Sequence, residues 1–402
     1  KVAIADHARK TAEGHAPGLR GAALQAYLAA GIGSDHESTE LDEAREKLAG
    51  GAFLMVREGS VTRDLDALMP LVDPRHADRI GFVTDDRLPH DLLAEGAVDV
   101  LVRRAIAAGV DPVFAVRCAS WNVARHYRLP RRGALAPGYF ADLIVVDDLA
   151  SFRAARVLRH GRWAAAAGRL EREAADAVAR AAAVLASHPS ARATRGTVRL
   201  PHLDARRLRL EAPEPGGRVR VVRTRPNQVV TTAEVDVPTV RDGACVADPA
   251  RDLLKLACVH RHGRGDGVGV GLVRGMGLRR GALASSVGHD HHNLMLVGAD
   301  DASMLRAATR AAEIGGGFVV DDGERVVAEV PLPVAGLVSE APVEELVAQL
   351  DAAAAAVRAL GGSGADAFMT LSFLGLAVIP ELRVTDHGLV DVGSARVVPF
   401  VA

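Results

Sequence analysis

GIGSDHESTELDEAREKLAGGAFLMVREGS, residues 31–60, is the stretch that decides the fold. A short apolar run closes on the polar SDH, an amphipathic segment follows, and AFLMV opens a second apolar run that closes on REG. Strand-like runs alternating with helix-period segments mark βα units and a parallel sheet. The pattern extends in both directions. Upstream, AEGH leads into RGAALQAYLAAG; downstream, RIGFVTDD leads into LPHDLLAEGAVDVLVRRAIAAG. Residues 13–108 therefore predict four βα units, half of the eight that close a barrel. The expected fold class is α/β, the second half of a TIM-type (β/α)8 barrel. Ser38 or Thr39, with Glu43 nearby, is expected to cap the helix after the second strand.

Beyond the repeat, residues 109–127 read as one further helix, with Asp111 and Pro112 in its first turn. The barrel half is thus assigned to 1–127. ADLIVVDDL and RAARVLRHGR read as strands of a small β-domain, followed by an Ala-rich helix over 163–186, which together assign 128–190 to a β-segment and linker helix. Residues 191–402 read as an α+β domain. Its strands are expected at VRLPHL, RVRVVRT, QVVTTAEVDV and VGVGLVRGMGL, with helices from Asp301 and from Val343. FVVDDGERVVAEVPL reads as a hairpin turning at Asp322-Gly323.

Composition narrows the function classes. The 402 residues are 49% hydrophobic and 25% charged, enough apolar material for sizeable cores. A formal charge of -1 argues against nucleic acid or an anionic membrane as dominant partner. No apolar run approaches the roughly 20 residues of a spanning helix. Three scattered cysteines form no CxxC pair, which fits a cytoplasmic location. GRGDGVGVGLVRGMG contains glycines spaced like a dinucleotide motif, but it opens no helix in a βαβ unit. GGSGAD reads as a helix stop.

On a barrel, chemistry sits where strands end. His15, His36 and Asp85 each fall at such a point, and an imidazole–carboxylate set suits Zn, Mn or Fe. Glu37 follows His36 and is expected either to orient an imidazole or to lie in the first turn of the next helix. Arg57 and Glu58 close the third strand of the repeat, lining the substrate pocket or pairing with each other. Asp86 is read as a substrate contact or as the N-cap of the helix near Pro89. Arg87 is read as a local ion pair. The polar run 285–293, which holds His289 and Asp290, is read as a loop that closes over the substrate or as a plain polar turn.

Long stretches of the chain resemble the adenine deaminase branch of the amidohydrolase superfamily: EGHAPGL, AAGIGSDHEST, VREGS, FVTDDR, GALAPGYFADLIVVDDL, RGMGLRRGALASSVGHDHHN, IGGG and FMTLSFLGLAVIPELRVTD. The resemblance implies hydrolytic deamination of adenine to hypoxanthine and ammonia, with adenine and water as partners, a binuclear divalent centre (Mn or Fe, with Zn possible) and a homo-oligomer. It makes His15 the fifth-strand ligand, His36 the sixth-strand ligand and Asp85 the eighth-strand ligand. Asp85 then also shuttles protons, His36 and Glu37 join it in catalysis, and Asp86, Arg57, His289 and Asp290 contact the purine. The family's first-strand HxH pair and bridging carboxylate have no match here, and the first residue is Lys1, so an N-terminally truncated chain is expected. The alternatives are another cyclic-amide or aminopurine amidohydrolase, or a catalytically incomplete fragment.

Overall fold

A computed structural model gives the protein's structure; it describes residues 4–5, 8, 10–60, 62–76, 78–225, 228–362 and 365–402, with backbone alone at 365 and 366. The chain divides into two compact units, residues 1–183 and 184–402.

The first unit is built on a parallel sheet. Helix α1 (Gly21–Ala29) precedes β1 (Ser34–Asp35), α2 (Leu41–Ala49) follows it, and β2 (Phe53–Arg57), α3 (Leu65–Leu68) and β3 (Ile80–Val83) continue. The order β1-β2-β3 is parallel throughout, with Ser34 opposite Phe53 and Leu54 opposite Ile80. Every residue of β2 is buried, because helices cover both faces of such a sheet and leave no room for alternation. Helices α4 (Pro89–Ala94), α5 (Val98–Ala107), α6 (Pro112–Ala119) and α7 (Trp121–His126) follow. Leu54, Val56, Ile80 and Phe82 pack with Leu101, Ala105, Phe114 and Cys118 from α5 and α6.

Three expectations fail here. Among the described residues AEGH forms no strand, so three strands stand where four were expected. Its place is set by other bonds: the Thr11 hydroxyl donates to His126 O at 2.9 Å, and Ala16 N–H donates to Asp35 Oδ1 at 2.8 Å. Gly14 passes so close to Tyr27 that a Cβ would lie 2.3 Å from the phenol oxygen. The single helix over 109–127 is two, because Ser120 leaves helical geometry at φ −136° and its hydroxyl bonds back to Val116 O at 2.6 Å. Asp111 does cap α6, accepting from Phe114 N–H at 2.9 Å. The helix after β1 is capped by neither Ser38 nor Thr39: Glu40 holds that position, and Ser38 is drawn off to Asp35.

The four-stranded antiparallel sheet β4 (Leu143–Val146), β5 (Ala154–Arg159), β6 (Arg162–Ala166) and β7 (Arg169–Leu170) completes this unit's strands. The predicted helix over 163–186 is strand at its start; α8 spans Arg172–Ser187. Two tight turns explain the difference, His160-Gly161 and Ala167-Gly168, all four residues at positive φ as a two-residue hairpin connection requires.

Helix α9 (Pro189–Ala193) opens the second unit's elements. Its strands run β8 (Leu210–Glu211), β9 (Val219–Thr224), β10 (Thr231–Asp236), β11 (Thr239–Arg241), β12 (Ala244–Val246), β13 (Leu253–Val259), β14 (Val268–Arg274), β15 (Ala282–Ser285) and β16 (Leu294–Gly298). Helix α10 (Asp301–Glu313), the hairpin β17 (Gly317–Asp321) and β18 (Val326–Pro331), α11 (Val343–Ala359), α12 (Ala365–Phe373) and the ribbon β19 (Leu382–Thr385), β20 (Gly388–Asp391) and β21 (Arg396–Val398) complete it. Eight of these strands form one sheet in the order β10-β9-β14-β13-β16-β15-β17-β18. Its central strand β13, LLKLACV, escapes a period-2 reading because both faces are buried: Leu254, Leu256 and Cys258 face one core, Ala257 and Val259 the other. VRLPHL, expected as a strand, makes only an isolated bridge at Arg199. Gly269 lets the ribbon lie on β14, since a Cβ there would meet Thr385 O at 1.8 Å. The glycine run 361–366 lies partly outside the described residues.

Candidate metal centre

His36 follows the last residue of β1, and His15 lies in the irregular stretch before α1. Their rings meet edge to face with centroids 4.7 Å apart, and His15 Nδ1 lies 3.2 Å from Glu37 Oε1. One ligand atom from each of His15, His36 and Glu37 falls within 4.8 Å of the other two. Two imidazole nitrogens and a carboxylate oxygen this close form a donor set that fits a divalent Zn, Mn or Fe ion. Of the two positions expected of Glu37, the first turn of the next helix is not the one it takes. It precedes the helix, and its carboxylate meets His15 from the other segment.

Both histidine segments are tied to one buried cation. Lys47, on α2, has a side chain 1% exposed. Its Nζ donates to Ala16 O at 2.5 Å, Glu43 Oε1 at 2.6 Å, Asp35 Oδ2 at 3.0 Å and Ser38 Oγ at 3.0 Å. Ser38 Oγ donates to Asp35 Oδ2 at 2.7 Å, and Gly18 N–H donates to Glu43 Oε1 at 2.6 Å. Burial alone would push the Asp35 carboxyl up; Ser38, Lys47 and the Ala16 amide outweigh it and hold it below the usual range. Sequence reading passed over Lys47. The available signal was its place in the stripe Glu43, Ala44, Lys47, Leu48, which α2 turns inward.

A second buried cation organises the ends of β2 and β3. Arg57 Nη1 donates to Asp85 Oδ2 at 3.0 Å, and Nε donates to Asp64 Oδ2 at 3.0 Å. Its Nη1 also lies 4.0 Å from Glu37 Oε1, so Arg57 stands between Asp85 and the histidine group. Burial pushes the guanidinium down, but Asp64 and Asp85 outweigh it and raise it, which keeps it charged. Asp85 sits in left-handed backbone at φ 53°, a conformation that Asp tolerates better than most residues. The structure thus brings His15, His36 and Glu37 together and places Asp85 on Arg57. Arg57 and Glu58 do not pair with each other: Glu58 takes Arg104 and accepts from Leu65 N–H. Arg87 pairs locally with Glu95. Asp86 is exposed and is not a helix cap, for Leu88 holds the N-cap position of α4.

His289 and Asp290 belong to the second unit, in the loop between β15 and β16. The His289 ring stacks on Phe373 at 4.6 Å, and the Asp290 side chain is 82% exposed. With Thr385, Asp386 and Arg396 they line a cleft of about 410 Å³.

Comparison with known proteins places the chain in a family. Residues 1–164 match the amidohydrolase family, and residues 228–396 match the adenine deaminase C-terminal domain. The chain is 44% identical over 400 residues to an adenine deaminase of Methanothrix thermoacetophila, covering 100% of this chain and 67% of that one. It is 42% identical over 396 residues to an adenine deaminase of Kosmotoga olearia, covering 98% and 66%. A solved β-aspartyl dipeptidase of Fervidobacterium islandicum AW-1 aligns at 18% identity and a TM-score of 0.27, over 33% of this chain and 38% of that one, too slight a likeness to carry an argument. The mixed α/β fold and the family match over residues 1–164 make this an amidohydrolase. The chain belongs to the adenine deaminase family. It spans about two thirds of the length of the curated relatives it matches.

Proposed function

We propose that the protein to which this chain belongs hydrolyses adenine to hypoxanthine and ammonia. The observation that carries the reading is the meeting of His15, His36 and Glu37 ligand atoms within 4.8 Å, in a chain of this family. The three βα strands are read as part of a TIM-type barrel. His15 and His36 would hold a divalent ion of a binuclear centre (Mn, Fe or Zn), and Asp85 is assigned as a further ligand on the family pattern. Bound there, such an ion makes a water acidic enough to act as a nucleophile near neutral pH.

The chain's own groups then have distinct tasks. Asp85 accepts a proton from the attacking water and returns it to the departing C6 amine, as the C6–O bond forms and the C6–N bond breaks. Arg57 holds the Asp85 carboxylate in place through the 3.0 Å hydrogen bond from Nη1. Glu37 orients His15 through the 3.2 Å contact at Nδ1. Asp86 is assigned to a purine nitrogen or amine, and His289 and Asp290 to further purine contacts. A His289→Ala variant with unchanged kcat and KM would withdraw that last assignment.

The test is a full-length preparation assayed for loss of adenine with equimolar hypoxanthine and ammonia, alongside its metal content. Turnover that falls at least about 100-fold in Asp85→Asn with metal retained supports the reading. Turnover of a cyclic amide or another aminopurine, with none of adenine, would replace it.

A further inference from the structure

We infer that Lys47 is a positioning residue for the candidate metal site, holding His15 and His36 in register although it touches neither. The inference rests on the metal reading of those two histidines. Lys47 grips the residue after His15 through Ala16 O, and the residue before His36 through Asp35 Oδ2. Asp35 completes the clasp by accepting from Ala16 N–H through its other oxygen. Each histidine is therefore one peptide bond from a buried residue held by the Lys47 ammonium.

Little else in the first unit does that job. Strand β1 has two residues, both paired only with β2, and the stretch carrying His15 joins no ladder among the described residues. The His15 side chain is 67% exposed, so packing does not fix it. Ligand groups held loosely bind a metal poorly, because the ordering cost falls on the binding step. Lys47 meets that cost during folding. Its ammonium has three protons for four acceptors drawn from three segments: the His15 stretch, the β1 end with Ser38, and α2. Without it, Asp35 and Glu43 are left as two carboxylates in a shared buried pocket, and the strain is relieved by moving Asp35, hence His36, away from Ala16.

The experiment is chelator competition for Zn²⁺ and for Mn²⁺ by the full-length chain, run with thermal melting. Lys47→Met is expected to bind each ion about 10–100-fold more weakly while still melting cooperatively. Leu101→Ala, which opens a cavity in the same unit's core, is the control: it should lower the melting temperature and leave metal affinity unchanged. If Lys47→Met does not fold, Asp35→Asn carries the comparison, with an expected loss of about 10-fold. A folded Lys47→Met or Asp35→Asn protein that binds both ions within about twofold of wild type overturns the inference. Wild-type protein that binds neither ion overturns the metal reading itself, and the inference with it.

Discussion

The chain carries two groups of histidines, and the one that looks more like a metal motif in sequence is the less suited in structure. His289, His291 and His292 are packed into the run GHDHHN, with His260 and His262 brought alongside, whereas His15 and His36 come from separate segments of unremarkable composition. Yet only the second pair, with Glu37, places three donor atoms within mutual reach among the described residues. In the second unit one nitrogen of each of three rings is engaged: His291 Nδ1 accepts from Asn293 N–H at 2.9 Å, His262 Nε2 meets His291 O at 2.9 Å, and His260 Nδ1 meets the Asp386 carboxylate at 3.2 Å. His260 Nε2, His291 Nε2 and His292 Nδ1 are buried without a hydrogen-bond partner, yet among the described residues no three donors converge there. A ligand set is a matter of unspent lone pairs converging on a point.

The groups also rest on different buried cations. Lys47 is matched by the carboxylates of Asp35 and Glu43. Arg261, 1% exposed, holds the other loop through carbonyls alone: His292 O, Ala335 O at 3.1 Å and Ser286 O at 3.4 Å. Burial pushes that guanidinium down, and among the described residues no carboxylate pairs with it. The largest expected stability effect therefore belongs to Lys47→Met, about 3–5 kcal/mol in chemical denaturation, because it strands two buried anions. Adding Glu43→Gln should recover part of that loss; no recovery would mean the carboxylates are not coupled through Lys47. Arg261→Met should cost less, about 1–3 kcal/mol, since it leaves only neutral carbonyls unmatched. A larger loss than in Lys47→Met would reverse the comparison.

A smaller effect separates the two groups by pH. Burial holds the His291 and His292 imidazoles below their ordinary value. Between that value, about 6.5, and the depressed folded one, the unfolded chain binds protons that the folded chain does not. The second unit should therefore lose stability as pH falls from 7 toward 5.5. His291→Gln should flatten that slope in melts monitored at several pH values; an unchanged slope would remove His291 from the explanation. Smallest of all, Cys118 should resist thiol reagents in the native state, since burial pushes its thiol up to about 12, and should react once the chain is unfolded.

What could be read from sequence follows from what is local. The runs FLMVR and IGFV and the helices from Asp301 and Val343 announce themselves by composition and period, and each is present. His36 is legible as a strand-end residue, whereas His15, read as one, stands in a stretch that forms no strand among the described residues. What escapes is whatever depends on a second segment. AEGH satisfies a strand template but is held by His126 and Asp35 instead of a neighbour's ladder. LLKLACV is masked by a lysine that reaches Asp301 at 2.6 Å. Glu37 adjoins His36 in sequence and serves His15 in space. Lys47, a polar residue on an amphipathic helix, gives no sign in isolation that its ammonium is enclosed by two loops.

The most direct test of the account is the metal content of the full-length chain, measured by elemental analysis after gel filtration, in wild type, His15→Ala/His36→Ala and His291→Ala. The account predicts that His291→Ala keeps the wild-type metal-to-chain ratio and that the His15→Ala/His36→Ala protein, still folded, holds less. Equal ratios in wild type and the His15→Ala/His36→Ala protein, or a loss confined to His291→Ala, would contradict it.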